Sequence, residues 1–291
     1  MTPERDEPSG QQTTGHEWDG IKELNTPVPK AMSIWLWISI AVAVAMWLLY
    51  PTWPFVTNYT KGLLGYSSRV EVDKQTAKGA ELRAGTMAAF ANEDIQALAD
   101  DPTLRAKHQD AIGVLFRDNC AACHGRDLQG QPEFPKLTDA HWLWSSLPEE
   151  IEYTIQNGIN STDNDDTRYA EMAAYGRDEL LEKREINNVV DYVLSLSAQN
   201  HDSEAAANGA LVFEDNCASC HADGGIGGLE NGAPSLTDDV WIYGGSRENI
   251  RETLQNGRAG VMPAWSARLS AEEIRMLTLY VLWAGEDDRQ N

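Results

Sequence analysis

Two five-residue strings constrain this chain more than anything else in it: Cys120-Ala121-Ala122-Cys123-His124 and Cys217-Ala218-Ser219-Cys220-His221. Each is C-x-x-C-H, the pattern for covalent attachment of a c-type haem, in which two thiols bond the vinyl groups and the histidine takes one axial position on iron. Two C-x-x-C pairs can also hold zinc, but zinc ribbons separate their pairs by about 15–20 residues, and 93 residues intervene here. Such a ribbon has no use for a histidine after each pair. Thioredoxin-type redox chemistry needs a βαβ context, and no strand-rich pattern surrounds either string. With all four cysteines of the chain used in this way, none remains for a disulfide.

The strings belong to a longer duplication. VLFRDNCAACH (114–124) returns as LVFEDNCASCH (211–221) at an offset of 97, and LTDAHWLW (137–144) as LTDDVWIY (236–243) at 99. IEYTIQNG (151–158) returns as IRETLQNG (250–257), and NNVVDYVLSL (187–196) matches RMLTLYVLWA (275–284) at 88. The drop in offset places an insertion in the first copy, in the acidic stretch NSTDNDDTRYAE (160–171). Each copy reads as a helix ending in the haem motif, a middle helix and a final helix. Ile186, Val189, Val190, Val193 and Leu194, and Ile274, Leu277, Val281 and Leu282, are apolar at helical spacing. Gly113 with Phe116 and Gly209 with Phe213 lie on the first helices, and Tyr192, Tyr280 and Trp283 on the last; small residues facing large ones let two helices cross closely. The expected fold is therefore mainly α, with haem domains over 107–199 and 200–291.

A haem held by one histidine needs a second ligand or stays open to substrate, and methionine suits electron transfer. Met172 is the one methionine between the two motifs, and Met262 stands in Gly260-Val261-Met262-Pro263, at an equivalent point of the repeat. Met276 sits inside an apolar stripe and reads as core. His108, His141 and His201 are weaker candidates, because none recurs in the loop that carries the methionines. Pro135 and Pro234 lie eleven and thirteen residues after His124 and His221. Either they are ordinary loop prolines or their carbonyls accept the free ring N–H of those histidines, which fixes the tautomer.

From Ala31 to Tyr50 no residue is charged, and twenty apolar residues match a hydrocarbon core of roughly 30 Å. Trp35, Trp37, Trp47 and Trp53 lie toward its ends, as interfacial aromatics do. The run is too long, and too bulky at Tyr50-Pro51-Thr52-Trp53-Pro54, for a signal peptide. The expectation is a single-pass anchor over 31–55, after an N-terminal segment 1–30 and before a linker 56–106. Lys22 and Lys30 on one side balance Lys61 and Arg69 on the other, so charge does not orient it. Haem c attachment does, because it is completed outside the bacterial cytoplasmic membrane: the haem domains are expected in the periplasm and the N-terminus in the cytoplasm.

Gly15-His16-Glu17-Trp18-Asp19-Gly20-Ile21, with Glu23 and Asn25-Thr26-Pro27, then a span ending Leu-Tyr-Pro, then two C-x-x-C-H units, resembles the membrane-anchored dihaem cytochrome c subunit, subunit III, of cbb3-type cytochrome c oxidases. The resemblance implies two tandem class-I cytochrome c domains carrying two covalently bound haem c. It also implies a role as electron entry into a proton-pumping oxidase in the bacterial inner membrane, with oxygen chemistry on another subunit. Carried over by residue, Cys120, Cys123, His124 and Met172 hold the first haem, and Cys217, Cys220, His221 and Met262 the second. Met172-Ala173 departs from the Met-Pro usual in the family. Implied partners are the haem–copper catalytic subunit, a monohaem cytochrome subunit, a periplasmic cytochrome donor and membrane lipid. The alternatives are an anchored dihaem cytochrome serving a nitric oxide reductase or a dehydrogenase, and a dihaem peroxidase. A formal charge of −22 argues against nucleic acid, whose phosphates need cations. Beyond the anchor, 39 acidic against 20 basic residues would steer a basic donor, or simply keep the domains soluble.

Overall fold

The computed structural model describes residues 4–91 and 94–290; the first three positions of the expected N-terminal segment, two of the linker and the last of the second haem domain lie outside the described residues. The chain divides into two compact units, Met1–Glu81 and Leu82–Asn291.

In the first unit the segment before the apolar run is a hairpin, β1 (Thr13–Trp18) antiparallel to β2 (Ile21–Leu24). Asp19-Gly20 makes the turn with φ of 49° and 86°, the positive-φ pair that a tight two-residue hairpin demands. Glu23 accepts hydrogen bonds from Trp18 Nε1 and Thr14 Oγ1, both at 3.1 Å, and pins the strands together. Helix α1 (Lys30–Leu49) has a mean hydropathy of 2.1 and buries none of its side chains, so it is long and apolar enough to cross a membrane. Edge contacts of Trp47 with Trp53 and Tyr50 with Tyr66 gather aromatics at its C-terminal end. The middle of the expected linker is helical, as α2 (Ser68–Ala89).

The second unit runs α3 (Ile95–Ala99), α4 (Pro102–Asn119), the single turn α5 (Ala121–His124), α6 (Pro148–Asn157), α7 (Lys183–Leu196), α8 (Ser203–Asn216), the single turn α9 (Ala218–His221), α10 (Arg247–Asn256) and α11 (Ala271–Gln290). Side chains start these helices: Asp101 accepts from Thr103 and Leu104 at α4, Asp202 from Ala205 at α8, and Ser246 from Asn249 at α10. Each satisfies backbone N–H groups that the first turn leaves unpaired.

The helices do not pack copy by copy. Phe116 and Ala121 of the first motif, with Ile151 and Ile155 of α6, share a core with Ile274, Leu277 and Val281 of α11. Phe213 and Cys217 of the second motif, with Ile250 and Leu254 of α10, share one with Ile186, Val189, Val190, Val193 and Leu194 of α7. The final helices have changed places, so each haem-motif core is closed by the final helix of the other copy. Connection length is the reason. Residues 197–202 between α7 and α8 allow only an antiparallel helical hairpin, whereas residues 158–182 between α6 and α7 are long enough to cross over. The aromatic pairs follow the exchange: Phe116 meets Tyr280 at 5.4 Å and Phe213 meets Tyr192 at 5.1 Å. Buried Asp191 of α7 locks it further, bound by Arg247 of α10 at 2.9 and 2.6 Å.

A third core joins Phe90, Ile95, Leu98 and Leu104 to Met276, Leu279 and Trp283 of α11, so Phe90 and residues 95–99 are part of the folded unit and Met276 is core, as its position in the stripe implied. His108 is buried there, 5.4 Å from the Phe90 ring. Burial lowers its pKa below the ordinary 6.5. The unfolded chain therefore takes up this proton more readily, and the loss of stability begins as pH falls through 6.5 and grows until the folded value is reached. His108→Leu is expected to flatten the pH dependence of urea-unfolding free energy between about pH 7.5 and 5.5. An unchanged slope would remove His108 from the acid response.

Candidate haem sites

The haem motifs end their helices in the same way. After α4 the chain makes one more turn, Ala121–His124, and then reverses at Gly125; α8 and Ala218–His221 repeat this. The turn presents Cys123 and Cys220 exposed, while Cys120 is half-buried and Cys217 buried. Burial pushes the Cys120 and Cys217 thiols up to about 11, so at neutral pH both are protonated. His124 Nδ1 donates to the Pro135 carbonyl at 3.1 Å, and His221 Nδ1 to the Pro234 carbonyl at 2.9 Å. A carbonyl only accepts, so Nδ1 carries the hydrogen and Nε2 keeps its lone pair for a metal. Burial keeps both imidazoles neutral, partly offset by these hydrogen bonds.

The methionines lie across from where the resemblance put them. Met262 packs into the core of Phe116, Ala121, Ile151 and Leu277, beside Cys120. Met172 packs into the core of Val189, Val193, Phe213 and Leu254, beside Cys217. Met262 thus shares a core with the first motif and Met172 with the second, the reverse of their order along the chain. Two short ribbons carry the crossing. Ile159 and Met262 exchange backbone hydrogen bonds at 2.9 Å in each direction, and Met172 and Arg258 do so at 2.8 and 2.9 Å. Both ribbons depend on glycine at the end of the middle helix. Gly158 and Gly257 have φ of 73° and 70°, and a Cβ there would stand 2.4 Å from the Met262 carbonyl oxygen and 2.5 Å from that of Met172.

The rival histidines are elsewhere. His108 lies in the α3–α4–α11 core, His141 binds Asp238 at 3.1 Å on the surface, and His201 Nδ1 bonds the Gln199 carbonyl. Among the described residues no three His, Cys, Asp or Glu side chains gather as a metal cluster. The cysteine pairs belong to separate cores, which excludes one shared zinc. What each core does offer is a thiol pair, a histidine with Nε2 free and a thioether in apolar surroundings. That donor set fits a haem c with His/Met axial ligands.

Sequence reasoning passed over Arg168 and Arg258. Each stands four residues before a methionine, a repeated R-x-x-x-M. Arg168 Nε donates to Thr154 Oγ1 at 2.8 Å, and Arg258 Nε to Thr253 Oγ1 at 3.0 Å. The repeat was the available signal, hidden because the inserted residues separate Arg168 from Gly158 whereas Arg258 follows Gly257 directly.

Comparison with known proteins places these features. Residues 10–57 match the family model for the N-terminal domain of cytochrome oxidase-cbb3, FixP; residues 111–197 match that for cytochrome c; and residues 204–281 match that for cytochrome c oxidase, cbb3-type, subunit III. The chain is 42% identical over 281 residues, 97% of each chain, to the cbb3-type cytochrome c oxidase subunit CcoP of Cereibacter sphaeroides. It is 44% identical over 282 residues, 96% of each, to subunit FixP of Bradyrhizobium sp. strain ORS 278. To FixP of Azorhizobium caulinodans it is 45% identical over 273 residues, 94% of this chain and 92% of the relative.

Proposed function

The chain belongs to the CcoP/FixP family of cbb3-type cytochrome c oxidase subunits and is an electron-transfer subunit with two covalently bound haem c groups, and from that premise we propose how its residues hold them and where it stands in the complex. Cys120 and Cys123 would form the thioethers of the first haem, and His124 and Met262 would hold its iron. Cys217 and Cys220 would attach the second, and His221 and Met172 would hold its iron. The observation that carries this reading is the reciprocal pair of ribbons, Ile159 with Met262 and Arg258 with Met172, each bringing a thioether into the core that holds the other copy's cysteine motif.

Bound haem supplies one-electron transfer between ferric and ferrous iron. The protein's part is to keep that chemistry and no other. Pro135 and Pro234 hold the imidazoles by Nδ1, so Nε2 stays oriented and basic. Met262 and Met172 would hold the second iron position at each site and so deny it to oxygen or peroxide. The apolar cores keep water away and keep reorganisation small. The subunit is on this account a relay and not the catalyst: electrons enter from a periplasmic cytochrome c and leave toward a haem–copper subunit that reduces oxygen, with a monohaem cytochrome subunit beside it. The helix Lys30–Leu49 anchors the subunit in the inner membrane, with the hairpin in the cytoplasm and the haem domains in the periplasm. The acidic excess of those domains favours a basic donor.

The test is twofold. Purified in mild detergent, the chain is expected to bring down a haem–copper subunit and a monohaem cytochrome, and a nitric oxide reductase or dehydrogenase subunit instead would replace the partner assignment. The isolated reduced chain is expected to show no carbon monoxide complex. Carbon monoxide binding or peroxide turnover by the chain alone would overturn the relay reading.

A further inference from the structure

The two sites come from one repeat, yet they carry different charge. Arg168 lies over the Trp144 ring at 5.0 Å and the Tyr153 ring at 4.9 Å; Arg258 lies over Tyr243, the residue equivalent to Trp144, at 4.4 Å. With their bonds to Thr154 and Thr253, the two guanidinium groups occupy equivalent places, one beside each core. Their counter-charges are not equivalent. Helix α6 carries Glu150, which pairs with Arg168, and Glu152, which pairs with Arg275 of α11 at 3.3 Å. At the same two positions α10 carries Asn249 and Arg251. Arg251 Nε meets only the neutral Asn187 amide oxygen, at 3.2 Å. Neither Arg251 nor Arg258 forms an ion pair among the described residues.

The nearby carboxylates do not pair with either arginine. Asp191 is taken by Arg247, and Glu252, where the first copy has Tyr153, accepts from Asn256 at 2.7 Å. Glu133 acts on the Tyr243 hydroxyl: burial raises that group's pKa, the Arg258 charge works against the rise and Glu133 adds to it. The first site thus ties its arginines into ion pairs, whereas the second leaves two without one among the described residues, with Glu133 opposing part of the Arg258 charge at Tyr243.

We propose that Arg251 and Arg258 hold the second haem at a higher reduction potential than the first, where Arg168 and Arg275 are paired with Glu150 and Glu152, so that the electron runs downhill from the first haem to the second. Reduction adds one negative charge at the iron, and a fixed cation nearby favours it. In the transfer one electron leaves the ferrous first site and reduces the ferric second, with no proton moved and no bond made. A unit charge about 10 Å away at an effective dielectric near 20 changes such an equilibrium about tenfold. The inference rests on the haem assignment above.

Spectroelectrochemical titration of the full chain in detergent tests it. The wild type is expected to titrate in two waves. Arg258→Gln should lower the upper midpoint by about 59 mV, a tenfold change for one electron, and leave the lower one in place. Arg258→Lys, which keeps the charge, should restore it, as a purely structural role for the guanidinium would not. Glu150→Gln should raise the lower midpoint alone. Coincident wild-type waves, or midpoints that do not move in these variants while both haems remain attached and His/Met ligated, would overturn the proposal. Loss of a covalent haem or of its methionine signature in the wild type would instead overturn the assignment beneath it.

Discussion

In a chain that carries only its first haem, through Cys217→Ala and Cys220→Ala, Met262→Ala will abolish the methionine-to-iron charge-transfer band of the ferric form, and Met172→Ala will leave it at full intensity. The complementary chain, with Cys120→Ala and Cys123→Ala, will behave in reverse. The expectation comes from packing: Met262 shares its core with Cys120 and Phe116, and Met172 shares its own with Cys217 and Phe213. The backbone ribbons allow little room for another arrangement, because Ile159 and Arg258 each bond their methionine in both directions. Losing the thioether leaves a five-coordinate or water-ligated haem, so the band disappears and carbon monoxide gains access to the reduced iron. The opposite dependence, Met172 serving the first haem, would mean that each copy closes on itself and that the exchange of helices is wrong.

Gly209→Ala will destabilise the haem domains by about 3 kcal/mol or more, whereas Gly113→Ala in the first helix of the other copy, at the position that Ala210 fills in the second, will cost about 1 kcal/mol or nothing. Both glycines lie inside a first helix, where alanine is intrinsically better by about 1 kcal/mol. At Gly209 that gain meets backbone, since a Cβ would stand 2.0 Å from the Asn188 carbonyl oxygen and 3.0 Å from the Tyr192 Cβ. Helices α7 and α8 would have to separate, and the short hairpin between them gives them nowhere to go. At Gly113 the nearest group is the Tyr280 hydroxyl at 3.2 Å, the far end of a side chain that can swing aside. Thermal unfolding of the full chain, followed at each haem, checks the contrast. Equal effects at the two positions would show that the crossings are equally tight and that α7–α8 is not the closer one.

Much of the site was legible because chemistry limits which residues can do it. Cys-x-x-Cys-His admits few uses, and Pro135 and Pro234 stood shortly after their histidines for a reason the structure makes plain: their carbonyls take the imidazole N–H. The N-terminal hairpin went unread although Asp19-Gly20 is a strong turn signal, because the strands on either side mix charged and apolar residues without clean alternation. Arg168 was hidden inside an insertion that looked like a solvated acidic loop, yet its side chain lies between two aromatic rings.

Local periodicity and motif spacing were enough to read the number of helices per copy, the haem attachment points and an apolar run of membrane length, and to single out two methionines as candidates, since each depends on residues close together in the chain. Which final helix closes which haem core was decided only in three dimensions. The two copies present nearly the same apolar stripes, so α7 and α11 could each serve either core by hydrophobicity alone. The choice falls to what pattern does not record: the short α7–α8 connection, the close approach at Gly209, and the buried Asp191–Arg247 pair. Those terms act between segments far apart in sequence, and they exist only once the chain has folded.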